Sequence, residues 1–205
     1  MTSAAIEHAH DTHGGHHTSL GIDNRKLAIW TFIGSECLFF ASLISTFLVY
    51  RGQSVSGPGP RDIFGVPLVT AGTAVLLFSS FFVVMALNGA QEGNRKKLLT
   101  WLSLTVLCGC FFAGMQVYEF SHFHHLGLGY STNLFSASFY TLTGFHGAHV
   151  TMGTLWLATL LKDAFKGELP KEKALNLEIA ALYWHFVDVV WIIIFPVVYL
   201  MSLGI

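Results

Sequence analysis

Five ionisable side chains lie deep inside apolar stretches of this sequence: Glu36, His146, His149, His185 and Asp188. At the centre of a bilayer such a group costs about 2.5–3.5 kcal/mol or more, so each is a candidate for function. His146 and His149 are spaced i, i+3, as are His185 and Asp188. On a helix that spacing puts each pair on one face. Two imidazoles and a carboxylate could bind a transition metal. A di-metal carboxylate bundle, however, needs several Glu and a repeated Glu-x-x-His motif, which these five residues do not make. No metal site is therefore expected, and Asp188 is expected to accept a hydrogen bond from an imidazole. Two readings of the whole set stand side by side: interhelical hydrogen-bond glue, or the lining of a proton or ligand path.

Glu36 stands apart. No Lys or Arg lies in the apolar stretches to pair with it. A carboxyl without a cation in a low dielectric is expected to keep its proton. That makes Glu36 a proton-linked candidate. Cys108 and Cys110, spaced i, i+2, point to nearly opposite sides of a helix and read as small core residues. No nucleophile with its base, phosphate loop or fixed haem-ligand pair is present, so no catalytic residue is assigned.

The elements that must carry these groups are five apolar stretches: Leu27–Tyr50, Val66–Leu87, Leu98–Phe120, Leu134–Leu161 and Leu177–Leu203. Each exceeds the roughly 18–20 residues that a bilayer core requires. In lipid, backbone groups must be satisfied within the segment, so these are helices. The alternation of a membrane barrel is absent. The expected fold is all-α, a polytopic bundle of five transmembrane helices over residues 25–205. The connections 51–65, 88–97, 121–133 and 162–176 are too short for a soluble domain. At about 1.5 Å per residue, Glu36 lies roughly 15 Å beyond Lys26, and His185 roughly 18 Å beyond Lys173. His149 lies about 20 Å from Lys162 and Asp188 about 22 Å from Lys173. Three helices should thus meet in one polar layer.

Composition agrees with a membrane bundle. Hydrophobic residues make up 53% and charged residues 11%, against about a quarter charged in a soluble domain. Mean hydropathy is +0.56. Eleven Lys and Arg against twelve Asp and Glu leave no basic face for nucleic acid. Three Cys inside apolar runs exclude a disulfide scaffold. Residues 1–24, with His8, His10, His13, His16 and His17, read as a His-rich, disordered cytoplasmic tail. The tail lacks the apolar core of a cleavable signal peptide. Nine Lys and Arg (25, 26, 95–97, 162, 166, 171, 173) fall on one side and Arg51 and Arg61 on the other. The positive-inside rule then makes the N-terminus cytoplasmic and the C-terminus extracytoplasmic in a bacterial-type inner membrane.

At the same residues the sequence resembles a known family. YWHFVDVVWIIIFPVVYL (183–200) resembles the last helix of subunit III of the haem–copper respiratory oxidases, and TGFHGAHVTMGT (143–154) its penultimate-helix signature. GSECLFF (34–40) is similar to its segment with an intramembrane Glu, and GMQVYEF (114–120) to its Gln-x-x-Glu-aromatic helix end, here Gln116 and Glu119. The resemblance implies a cofactor-free subunit packed on the oxidase subunits I and II, which hold the haems and copper. Their complex reduces O₂ to water and pumps protons. It further implies a carbodiimide-reactive carboxyl at Glu36, bound phospholipid, and support of sustained proton uptake by subunit I. Longer members have seven helices. The two absent here would precede Leu27, and a partner subunit would supply that wall. Five-helix, His-tailed members serve either cytochrome c or quinol as donor. Glu36, Gln116 and Phe145 resemble the cytochrome c branch more closely.

Overall fold

Asp23, Asn94 and Asn133 open three of the helices, and Gly93, Gly127 and Gly167 lie where three of them end. In the computed structural model, which describes residues 23–53, 65–169 and 174–201, the order is α1 (Asn24–Tyr50), α2 (Val66–Gln91), α3 (Arg95–His125), α4 (Leu134–Lys166) and α5 (Ala174–Phe195). A π-helical turn, Pro196–Leu200, follows α5 directly. Asp23 accepts from the Arg25 amide at 2.8 Å and Asn94 from the Lys97 amide at 3.2 Å, which satisfies orphan N–H groups at the starts of α1 and α3. Asn133 and Ser136 form a reciprocal capping box on α4. Gly167, at φ 79°, ends α4 in the left-handed conformation that favours glycine.

Helices α2, α3, α4 and α5 form a ring in which each packs on the next and α5 returns to α2. Helix α1 lies outside this ring, against α4 and α5. Trp184 and Trp191 of α5 fill the ring with Phe112 of α3. Their indole N–H groups reach α2: Trp184 donates to Ser79 at 3.0 Å and Trp191 to Thr73 at 2.9 Å. Trp184 fits because Gly109 of α3 and Gly153 of α4 face it, and a Cβ on either would strike the indole. Small residues of this kind let membrane helices approach closely. Gly153→Leu is expected to force α4 off α5 and to destabilise the bundle by about 1–3 kcal/mol. Thermal unfolding in detergent checks this, with Gly34→Leu, where a Cβ meets nothing, as the neutral control.

Among the described residues, four of the five helices are long and apolar enough to cross a membrane: α1, α2, α3, and α5 with its π turn. Helix α4, at 33 residues the longest, falls outside that group. Its run of Ser136, Ser138, Thr141, Thr143, His146, His149, Thr151 and Thr154 dilutes its apolar content. Several helix ends differ from the sequence reading: α2 runs on to Gln91 and α4 to Lys166. Helix α3 runs on through His122, His124 and His125, which had been placed in the 121–133 connection. The last helix does not stay α-helical to Leu203. Pro196 lacks the N–H that an α-helix needs, and a π turn takes over there. Helix α1 opens at Asn24, inside the segment read as tail, and the rest of that tail up to residue 22 lies outside the described residues.

One end of the bundle gathers the basic residues. Lys26 at the start of α1 pairs with Glu178 of α5 at 2.6 Å, and Arg25 reaches Asn176 at 3.2 Å. Arg95 at the start of α3 donates to the Ala164 and Phe165 carbonyls at the end of α4. Those carbonyls are among the groups a helix C-terminus leaves unpaired. Lys171 and Lys173 lie outside the described residues.

Candidate functional site

The polar residues of the membrane layer divide among separate neighbourhoods. Glu36 and His149 come together across the α1–α4 seam, with His149 Nε2 3.3 Å from Glu36 Oε2. Their side chains are only 19% and 13% exposed. The Glu36 that had no Lys or Arg to meet therefore has an imidazole partner. Aromatic rings enclose the pair: Phe40 meets the His149 ring edge-on at 5.1 Å, and Tyr183 of α5 stacks on it at 6.5 Å. Tyr183 also donates its hydroxyl to the His149 backbone carbonyl at 3.1 Å.

A backbone carbonyl orients the His149 ring. His149 Nδ1 lies 2.8 Å from the Phe145 carbonyl. A carbonyl oxygen only accepts, so Nδ1 carries a hydrogen. In a neutral imidazole Nε2 is then the acceptor, and two lone pairs would face each other across the gap to Glu36. One further proton makes the contact attractive, whether it sits on Oε2 or on Nε2. The contact thus links α1 to the ring through one carboxyl and one imidazole.

His146, one helical turn from His149, has a different environment. It is fully buried, stacked on Trp191 at 4.7 Å and edge-on to Phe112 at 5.9 Å. Neither ring nitrogen makes a hydrogen bond among the described residues. The shared face expected from the i, i+3 spacing does not join His146 to His149 in function, because one points into the ring and the other toward α1. His185 meets Ser80 of α2, Nδ1 to Oγ, at 2.5 Å. Asp188 is 2% exposed, and among the described residues neither of its oxygens makes a hydrogen bond of good geometry. Ser80, which also meets His185, stands within electrostatic reach of it. The imidazole–Asp188 hydrogen bond expected from the sequence is therefore not formed. Among the described residues, no group of three or more His, Cys, Asp or Glu could hold a metal ion. His185→Ala leaves Ser80 without its partner and is expected to lower bundle stability by about 1–3 kcal/mol. Unfolding in detergent measures it, and the haem content of complex that still assembles should be unaltered.

Gln116 and Glu119, one turn apart on α3, hold that helix to its neighbours. Gln116 Nε2 donates to the Thr143 carbonyl of α4 at 2.6 Å. The Tyr199 hydroxyl, on the π turn, donates into the Glu119 carboxylate, 3.1 and 3.0 Å from its two oxygens. Tyr183, Ser80 and Tyr199 are partners that the sequence reading did not name. Their signal was a hydroxyl inside an apolar run, which cannot by itself say which neighbouring helix it meets.

A family profile described as cytochrome c oxidase subunit III matches residues 6–203. The cytochrome c oxidase subunit 3 of Bacillus sp. (strain PS3) is 41% identical over 180 residues, 88% of this chain and 87% of the relative. The quinol oxidase subunit 3 of Bacillus subtilis (strain 168) is 40% identical over 178 residues, 87% of each chain. The cytochrome bo(3) ubiquinol oxidase subunit 3 of Pseudomonas aeruginosa is 37% identical over 196 residues, 96% of this chain and 90% of the relative. The match runs through all five helices and through every residue of the polar layer, and this chain belongs to the cytochrome c oxidase subunit III family, the third subunit of the haem–copper oxidases.

Proposed function

We propose that the chain is a cofactor-free, non-catalytic subunit of an oxidase that oxidises cytochrome c, reduces O₂ to water and pumps protons. The haems and copper belong to subunits I and II. The role of this chain is to support assembly, hold phospholipid and sustain proton uptake by subunit I. The observation that carries the proton-linked part is the Glu36–His149 contact. All five helices span the membrane in this reading. Helix α4 is long enough, sits between α3 and α5, and buries Thr143, His146 and Thr154 within the ring. The basic end faces the cytoplasm, following the positive-inside rule. An open, largely apolar pocket of about 500 Å³ beside α1 supports the lipid reading. It is lined by Phe32, Trp156 and Leu160, and by Arg25, whose guanidinium already meets Asp23 and Asn176.

Quinol is the second reading for the donor, because a quinol oxidase relative is nearly as similar as the cytochrome c oxidase relatives. The test is turnover of the purified complex with each donor. Rapid O₂ uptake with reduced cytochrome c supports the first reading. Activity with quinol alone, together with a subunit II that lacks a Cys and His copper-binding cluster, would replace it.

A further inference from the structure

Resting on the reading of Glu36 as the proton-linked carboxyl, we infer that Tyr183 is its positioning residue. The tyrosine holds His149 with Nε2 on Glu36, and its hydroxyl contributes to the field at the Glu36 carboxyl. Glu36 belongs to α1 and His149 to α4, so the site gains a third helix, α5. Tyr183 acts through His149 and through space, because among the described residues its hydroxyl bonds the His149 carbonyl and not the carboxyl.

Three contacts carry the inference. The hydroxyl donates to the His149 backbone carbonyl at 3.1 Å. A carbonyl has two lone pairs, and within a helix the amide four residues on uses one of them. The tyrosine therefore adds a bond to α4 at the residue whose side chain meets α1. Its ring lies 6.5 Å from the imidazole with the planes 22° apart, while Phe40 meets the same imidazole edge-on at 5.1 Å. The second side-chain torsion of histidine is broad by itself, so these neighbours decide which way Nε2 faces. The phenol also stands within electrostatic reach of Glu36. Tyr183 is 2% exposed, and a dipole in such a low-dielectric setting acts strongly on a neighbouring charge.

Tyr183 is itself held in place. A Cβ at position 153 would stand 3.0 Å from its Cε1, so Gly153 makes room for the ring. Trp156 of α4 packs 5.8 Å from the ring and Phe32 of α1 6.2 Å from it. A buried tyrosine in general needs only some acceptor for its hydroxyl. Tyr140 shows that simpler case: it donates to the Leu128 carbonyl at 2.7 Å and stands near Glu119 instead of Glu36. The two tyrosines make the same kind of bond, but only Tyr183 makes it at the Glu36–His149 pair.

Infrared spectra of the assembled complex test this. The Glu36 band is identified as the carboxyl band lost in Glu36→Gln. Tyr183→Phe keeps the ring and removes the hydroxyl, and it is expected to shift that band. Tyr140→Phe removes a matching hydroxyl–carbonyl bond and should leave the band in place. Tyr183→Leu also removes the ring and frees the imidazole, so it should shift the band further and raise carbodiimide labelling of Glu36 several-fold. A merely structural tyrosine would lower thermal stability in Tyr183→Phe and Tyr140→Phe alike and move the Glu36 band in neither, which would overturn the inference. Should Tyr183→Leu fail to assemble, the comparison of Tyr183→Phe with Tyr140→Phe decides. If Glu36→Gln impairs pumping or endurance while Tyr183→Phe leaves the band unmoved, the positioning role alone fails. If Glu36→Gln leaves both unchanged while Tyr183→Phe shifts the band, the proton-linked reading fails and the positioning role stands.

Discussion

Assembled enzyme carrying Glu36→Gln is expected to begin O₂ reduction at the native rate and to lose performance afterwards. The amide can still donate to His149 Nε2, so the α1–α4 seam keeps its polar link. What disappears is the exchangeable proton of the carboxyl. The loss should therefore appear as a lower pumped-proton yield, or as inactivation after fewer turnovers. Glu36→Ala differs in kind. It leaves His149 Nε2 buried among Phe40 and Tyr183 without a partner, at a cost of about 1–3 kcal/mol in stability. The pair of substitutions separates proton handling from interhelical glue. Should Glu36→Gln leave both pumping and endurance unchanged, the carboxyl is structural. An immediate, complete loss of electron transfer in fully assembled Glu36→Gln enzyme would instead make the subunit's role catalytic.

The second large effect is chemical modification. A hydrophobic carbodiimide should label this chain chiefly at Glu36. Such reagents reach a carboxyl from the apolar phase and react with the protonated form. Glu36 is partly open at the α1 seam, where it meets His149. Glu119 is the internal control. It too lies within an apolar helix, but it is buried, with the Tyr199 hydroxyl directed into its carboxylate. Mass spectrometry of labelled membranes should find the adduct at Glu36 and lose it in Glu36→Gln. Predominant labelling at Glu119 would show that access is governed by something other than the seam.

The bundle was legible in the sequence because lipid leaves so few options. Long apolar runs must be helices, and the five of them lie where composition puts them. The ends were harder to place. His122, His124 and His125 look like loop residues by polarity, yet α3 continues through them until Gly127 turns the chain. Pro196 lies inside an apolar run, and only its missing N–H explains why the last turn becomes π-helical. Which side chains meet could not be read at all from i, i+3 spacing. His146 and His149 are neighbours along α4, but one is enclosed by Trp191 and Phe112 while the other reaches Glu36. The packing of α1 against α4 and α5, outside the four-helix ring, makes that difference. Counting only Lys and Arg as partners also hid His149 from Glu36. Here the Phe145 carbonyl meets Nδ1 and leaves Nε2 of His149 facing Glu36.

The most direct test of the account is to purify the chain from its native membrane through a terminal tag and record a reduced-minus-oxidised haem spectrum. The account predicts a stable complex in which a larger membrane subunit carries the haem and this chain carries none. The complex should consume O₂ when given its donor. A fully folded chain that purifies free of any haem protein, from membranes with active respiration, would contradict it.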